Sequence, residues 1–295
     1  MVILLYFVIV LASVTQSATT KLFNRHSTNA TVFNACKALA AFVLFAAMAA
    51  WGFTLHMPTL VFGMLYGACL CASMYAGYKA LCLGPMALTS MLVSFSILIP
   101  LLWGVTVGGE SLHLLRIIAL LLLFGSIILT NADKLFLHHR QKTENGYQNE
   151  AKGNYGKWLL FVLATFLCNG GCSVLQKQHQ SLYPERYSKE FMLFAMLLCV
   201  LVFCSVSLIK YPLADIKRVK KKWLGTLSGV ANGLSGFFTL ALAGFENASV
   251  LFPVISAGTL LGALLCGKFF FKEKLKVNHY LALMLGMCAV VLLKW

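Results

Sequence analysis

Apolar runs recur along the chain, separated by short polar breaks, and none of them alternates apolar and polar positions. A membrane-crossing helix takes about 20 apolar residues. Runs that meet or approach this length lie at residues 2–20, 33–51, 60–83, 86–107, 112–130, 158–177, 191–209, 223–243, 248–270 and 279–294. The pattern predicts an all-α integral membrane protein with ten transmembrane helices. Runs this long without period-2 alternation speak against transmembrane β-strands. The first run has no basic segment before it, and its cations, Lys21 and Arg25, follow it. It is taken as a first span rather than a cleaved leader.

The longest polar stretch, residues 131–157, separates five predicted spans from five. The expected organisation is a five-helix segment over 1–130, a mobile cytoplasmic linker over 131–156 and a second five-helix segment over 157–295. The two segments resemble each other. Ala80-Leu81, a short break and Ala87 lie over Ala241-Leu242, a short break and Ala248. Each following span closes on an acid and a leucine, Glu110-Ser111-Leu112 and Glu273-Lys274-Leu275. Ser17-Ala18-Thr19-Thr20-Lys21 lies over Ser173-Val174-Leu175-Gln176-Lys177. Three matches in one order predict an internal repeat. An odd number of spans per repeat forces opposite orientations, so the repeats are of inverted topology, a common basis for alternating-access transport.

These segments, with Pro100 and Pro253 in the spans that follow the breaks, resemble the drug/metabolite transporter superfamily in its EamA-like, ten-span group. The resemblance covers nearly the whole chain and implies two inverted five-helix repeats around a solute pathway. One departure is the break itself, where Pro85 precedes Ala87 but Glu246-Asn247 precede Ala248.

Composition narrows the function classes. The 295 residues are 60% hydrophobic and 11% charged, against about 25% charged in soluble domains. That excludes a soluble globular protein, a nucleic-acid-binding domain and a disordered chain. The net charge of +15 falls unevenly on alternate loops. One side holds Lys134, Arg140, Lys142, Lys152, Lys157, the run from Lys217 to Lys222, and Lys268 to Lys276; the other holds little beyond Arg186, Lys189 and Lys294. Basic loops stay cytoplasmic, so a cell-membrane protein with both termini outside is expected. The ten cysteines lie mostly in apolar runs without paired metal-ligand spacing, and are expected as free thiols.

Polar groups at membrane depth must face protein, water or ligand. The candidates for substrate binding near mid-span are Asn169, Asn232, Ser235, Ser96 and Ser256, with Ser94 and Thr259 beside them. Gln16, Tyr75 and Tyr78 lie toward the cytoplasmic side and Trp103 toward the outside. Lys37 and Lys79 could attract a substrate carboxylate or phosphate, or reach to the interface. The competing role for each amide and hydroxyl is interhelical hydrogen bonding. No Asp or Glu falls deep in a predicted span, which disfavours exchange of a cation for a proton and favours neutral, zwitterionic or anionic solutes. Gly63 and Gly67, and Gly225, Gly229 and Gly233, form small-residue faces. Asn169-Gly170-Gly171 is expected to loosen the sixth span, and Pro100 and Pro253 to kink the fourth and ninth.

An intramembrane enzyme is a rival class, but the histidines are scattered, with only His138-His139 adjacent. A scaffold or receptor and a channel are the others; no filter-like loop or ring of charge is present. The expected function is transport of small polar metabolites, amino-acid-like or otherwise zwitterionic or anionic, by alternating access. It implies no catalysis, no cofactor and no nucleic acid. The partners are a small-molecule substrate and the lipid bilayer, with a homodimer left open.

Overall fold

The computed structural model describes the backbone at residues 2–24, 29–50, 52–83, 92–110, 113–144, 151–212, 221–270 and 277–293, with positions 89, 219 and 272 between them. Among these residues the structure is helical and has no strand. The helices are α1 (Val2–Asn24), α2 (Ala30–Ala49), α3 (Met57–Leu83), α4 (Leu98–Thr106, preceded by a 3-10 turn over Phe95–Ile97), α5 (Leu114–Glu144), α6 (Ala151–Leu182), α7 (Ser188–Lys210), α8 (Trp223–Ala243), α9 (Ala248–Phe269) and α10 (Val277–Leu293). Seven of them, α1–α3 and α6–α9, are long and apolar enough to cross a membrane. Shorter apolar helices cover Leu92–Thr106, Leu114–Leu129 and Val277–Leu293. Apolar side chains cover their outward faces too, up to Ile209 at 86% exposure, as a lipid-facing helix requires.

Contacts divide the chain into two compact units that cut across the sequence halves. The first holds Met1–Cys71 and Leu175–Glu246, the second Ala72–Val174 and Asn247–Trp295. In the first unit α1 packs on α8, and α2 packs on both α7 and α8. In the second, α5 packs on α10, and α9 on α4 and α10. The boundaries fall inside α3, inside α6 and between α8 and α9.

Glycines set the closest approaches in the first unit. A Cβ on Gly63 would lie 2.7 Å from the Phe191 carbonyl oxygen, and one on Gly67 2.7 Å from that of Ala195, so α3 lies against α7. On α8, Gly225 meets Cys36, Gly229 meets the Lys37 carbonyl and Ala40, and Gly233 meets Leu44. Both glycine faces therefore act as close-packing surfaces.

Two stretches are more regular than their sequence suggests. Residues 131–144 continue α5 and residues 151–157 belong to α6, so much of the expected linker is helix. Polarity ends a span, but a stretch rich in Leu, Lys, Gln and Arg without Gly or Pro does not end a helix. Residues 145–150 lie outside the described residues, as do Lys217, Arg218, Lys220 and Glu273. The Asn169-Gly170-Gly171 step is also continuous helix. Gly170 is there for space, since a Cβ would run into the Ile99 side chain of α4. Pro253 does lie inside α9, and the 3-10 turn sits just before Pro100, where the ring removes an α-helical donor.

Candidate functional site

In the first unit, α1, α2 and α8 bring polar side chains into an otherwise apolar bundle. Lys37 faces inward on α2 and is only 6% exposed, and no hydrogen bond or ion pair to a described residue engages its ammonium. Asn232 is half-buried on α8. By helical periodicity it falls between the glycine line that meets α2 and Ser235, which meets α1. Ser235 Oγ lies 2.9 Å from Ser13 Oγ. Asn232 and Gln16 make no side-chain hydrogen bond to a described residue, so neither amide ties helices together there.

In the second unit the polar groups are engaged differently. Ser73 Oγ donates to Asn169 Oδ1 at 2.6 Å, linking α3 to α6. Asn169 thus has the interhelical role that Asn232 lacks. Tyr75 is 56% exposed and stands edge-on to Phe161, with the Lys79 ammonium 5.9 Å from its ring centre. Tyr78 is exposed, and Ser96, Ser256 and Trp103 are half-buried. Gln16, Lys37, Asn232 and Ser235 thus share the first unit, and Tyr75, Tyr78, Lys79, Ser96, Trp103, Asn169 and Ser256 the second.

Three sets of contacts lie outside the candidate binding residues. The first is a buried relay where α3 starts and α6 ends. Thr59 Oγ1 lies 2.9 Å from His56 Nδ1 and 3.0 Å from His179 Nε2. Gln180 Nε2 lies 3.3 Å from His179 Nδ1 and donates to Ser188 Oγ at 3.0 Å. Gln180 Oε1 accepts the Glu185 amide at 3.2 Å, which fixes the orientation of the carboxamide. The carboxamide donates to His179 Nδ1, so His179 Nε2–H donates to Thr59, whose hydroxyl bonds His56 Nδ1. Thr59→Val should cost about 1–3 kcal/mol of stability, because His179 is fully buried and would keep an unpaired N–H. Thr59→Ser should restore it. Thermal unfolding of the three proteins checks this.

The second set is the pair Lys177 and Glu110, which meet helix ends. Lys177 Nζ, on α6, donates to the carbonyls of Ala243 and Glu246 at 2.9 and 2.6 Å, closing the C-terminus of α8. Glu110 accepts the Ala248 and Ser249 amides on its two carboxylate oxygens at 2.6 and 2.9 Å, closing the N-terminus of α9. The third is Glu190. Helix α7 starts at Ser188, three residues before the predicted span, and so takes Glu190 into its first turn at 1% exposure. This acid, one position before the predicted span, is buried. The signal was present, since an acidic residue favours a helix N-terminus.

The described cysteines are free thiols. Among the described residues no three His, Cys, Asp or Glu side chains gather as a metal would require.

No family model matches the chain, and no curated protein does. Solved structures do: 28 chains match. One, known only as the crystal structure of a protein, is similar with a TM-score of 0.76 at 16% identity, over 98% of this chain and 94% of its own. At that identity the likeness shows the fold alone.

Proposed function

We propose that the protein is a ten-span membrane transporter of small polar metabolites, built as two inverted five-helix repeats of the EamA-like kind and working by alternating access. One observation carries this reading: the helices pair with their own counterparts, and the polar contacts come in matched sets. Counting each helix as one span, the second half repeats the first five spans later. A two-fold axis between such halves brings each span near the axis against its own counterpart. The second span packs on the seventh, the fourth on the ninth and the fifth on the tenth.

The hydrogen bonds follow the same rule. The register that lays Ser17 on Ser173 lays Ser13 on Asn169. The register that lays Gly63 and Gly67 on Gly225 and Gly229 lays Ser73 on Ser235, and it differs by one position from the register of the Ala80-Leu81 and Ala241-Leu242 match. Ser13 bonds Ser235, and Ser73 bonds Asn169. In the glycine register one bond is the image of the other under exchange of the halves. The two glycine faces are images in the same way, one packing the third span on the seventh, the other the eighth on the second. The coincidence supports inverted repeats far better than the short sequence matches do.

For the substrate class, the support comes from Lys37 and Asn232. A buried ammonium without a partner costs several kcal/mol unless an anion offsets it, and an unbonded amide at membrane depth calls for a polar ligand or water. A carboxylate- or phosphate-bearing solute that also accepts or donates one amide hydrogen bond fits both. The charge asymmetry of the loops places the termini outside the cell membrane in this reading.

The test is solute uptake into proteoliposomes, normalised to folded protein. Asn232→Ala should fold as the parent does and raise the half-saturating concentration about tenfold, the equivalent of one lost hydrogen bond. A less stable variant with unchanged half-saturation would remove Asn232 from the site.

A further inference from the structure

We infer that the first unit holds a binding site for organic ammonium ions with an apolar tail, in a cavity where α1 begins, with Glu190 as its anionic anchor. The cavity has a volume of about 720 Å³ and is lined by the start of α1, the turn after α2, the α6–α7 loop, the start of α7 and the end of α8. That size lies within the range of small-molecule pockets. Its surface is mostly apolar, from residues such as Leu5, Phe237 and Phe238, and the charged residues on it are Glu185, Arg186, Lys189 and Glu190.

The carboxylate is only half engaged. Glu190 Oε1 accepts weakly from the Thr54 backbone amide at 3.4 Å and the Thr54 hydroxyl at 3.3 Å. Lys189 Nζ stands 4.0 Å from the same oxygen, with its close hydrogen bond directed at the Gly52 carbonyl at 2.7 Å. Oε2 is buried and has no hydrogen-bond partner. A buried carboxylate oxygen with nothing to accept from is costly. A ligand N–H carrying positive charge removes that cost with a charge-assisted bond. The aromatic rings suit the same ligand, because their faces attract a cation and their edges bury its tail. A neutral solute would leave the Glu190 carboxylate uncompensated.

The loop that carries Tyr187 is held in an unusual shape. Glu185 and Tyr187 both adopt left-handed backbone angles, φ 58° and 57°, which cost non-glycine residues about 1–2 kcal/mol each. The His56 ring stacks on the Tyr187 ring at 4.4 Å with an interplanar angle of 3°. His56 is itself fixed by the Thr59 relay. The relay therefore presets the cavity wall before any ligand arrives.

This site does not depend on transport, and the experiment reads binding alone. The full chain in zwitterionic lipid nanodiscs is titrated calorimetrically with phenethylammonium and with 2-phenylethanol, which has the same shape without the charge, and empty discs are subtracted. Phenethylammonium should bind saturably and at least tenfold tighter than 2-phenylethanol. Glu190→Gln should lower the ammonium affinity at least tenfold and leave the alcohol unchanged. Equal affinity for the two probes, no saturable binding of the ammonium, or full ammonium affinity in folded Glu190→Gln would each overturn the site. The two-probe comparison on the parent protein decides even where the variant does not fold.

Discussion

Gly229→Leu should yield no stably folded protein, and even Gly229→Ala should lower stability by about 1–3 kcal/mol, the cost of overpacking a tight contact. A Cβ at this position runs into the Lys37 carbonyl and comes within 2.8 Å of the Ala40 Cβ. The atoms it meets are backbone and Cβ, which cannot rotate away, so α2 and α8 must separate. Separation would also disturb Lys37 itself, because its own carbonyl forms the contact. Gly233→Ala should cost less, since its neighbours are the tips of Leu44 and Phe45 at 3.2 Å, and tips can shift. Gly156→Ala is the control. Nothing lies within 4 Å of its added Cβ, and inside α6 alanine should gain up to about 1 kcal/mol from helix propensity. Thermal unfolding in one detergent compares the four substitutions. Gly229→Ala as stable as Gly156→Ala would show that the α2–α8 contact is not as tight as its geometry implies.

What the chain discloses by pattern alone follows from the bilayer. Most of the described residues of each apolar run lie on helices, and residues 223–243 coincide with α8, because the hydrocarbon thickness fixes length and composition together. Lys37 was visible for the same reason, as a charge that a span should not contain. Boundaries are softer, and three residues at the start of α7 decide whether Glu190 is a loop acid or a buried one. The roles of Asn169 and Asn232 could not be told apart, because a hydrogen bond to Ser73 is a fact about two helices and not about a local pattern. Gly170 looked like a weak point in a helix for the same reason: its partner, Ile99, is 71 positions away in the chain. His56 and His179 seemed scattered until the start of α3 met the end of α6. The repeat is the exception. The proposed repeat is faint in sequence as Ala-Leu and Glu-x-Leu, and its support from paired contacts falls on residues that differ chemically, a serine in one half opposite an asparagine in the other.

Glu110→Ala should lower stability by about 3 kcal/mol, through the start of a helix more than a hundred residues further along the chain. The first amides of any α-helix lack partners within the helix, and those of Ala248 and Ser249 belong to fully buried residues. Asn247 precedes them in an extended conformation, but its side chain makes no capping bond. Glu110 accepts from both amides, and two charge-assisted bonds at a helix N-terminus are worth about 1.5–3 kcal/mol each. Gln at 110 keeps one acceptor and turns a donor toward the other amide, so Glu110→Gln should lose roughly half as much. The acid reaches α9 because Gly109, at φ +65°, turns the chain back after α4, and the Glu110 amide closes on the Gly104 carbonyl at 3.0 Å. Gly104 leaves room for the carboxylate, since a Cβ there would stand 2.9 Å from it. Gly104→Ala should therefore destabilise by displacing the carboxylate, and should cost much less once Glu110 is already alanine. A double-mutant cycle in thermal or denaturant unfolding measures this coupling. Full additivity would mean that Gly104 serves the Ala248 methyl, 3.1 Å from the same point, and not the acid that closes the helix.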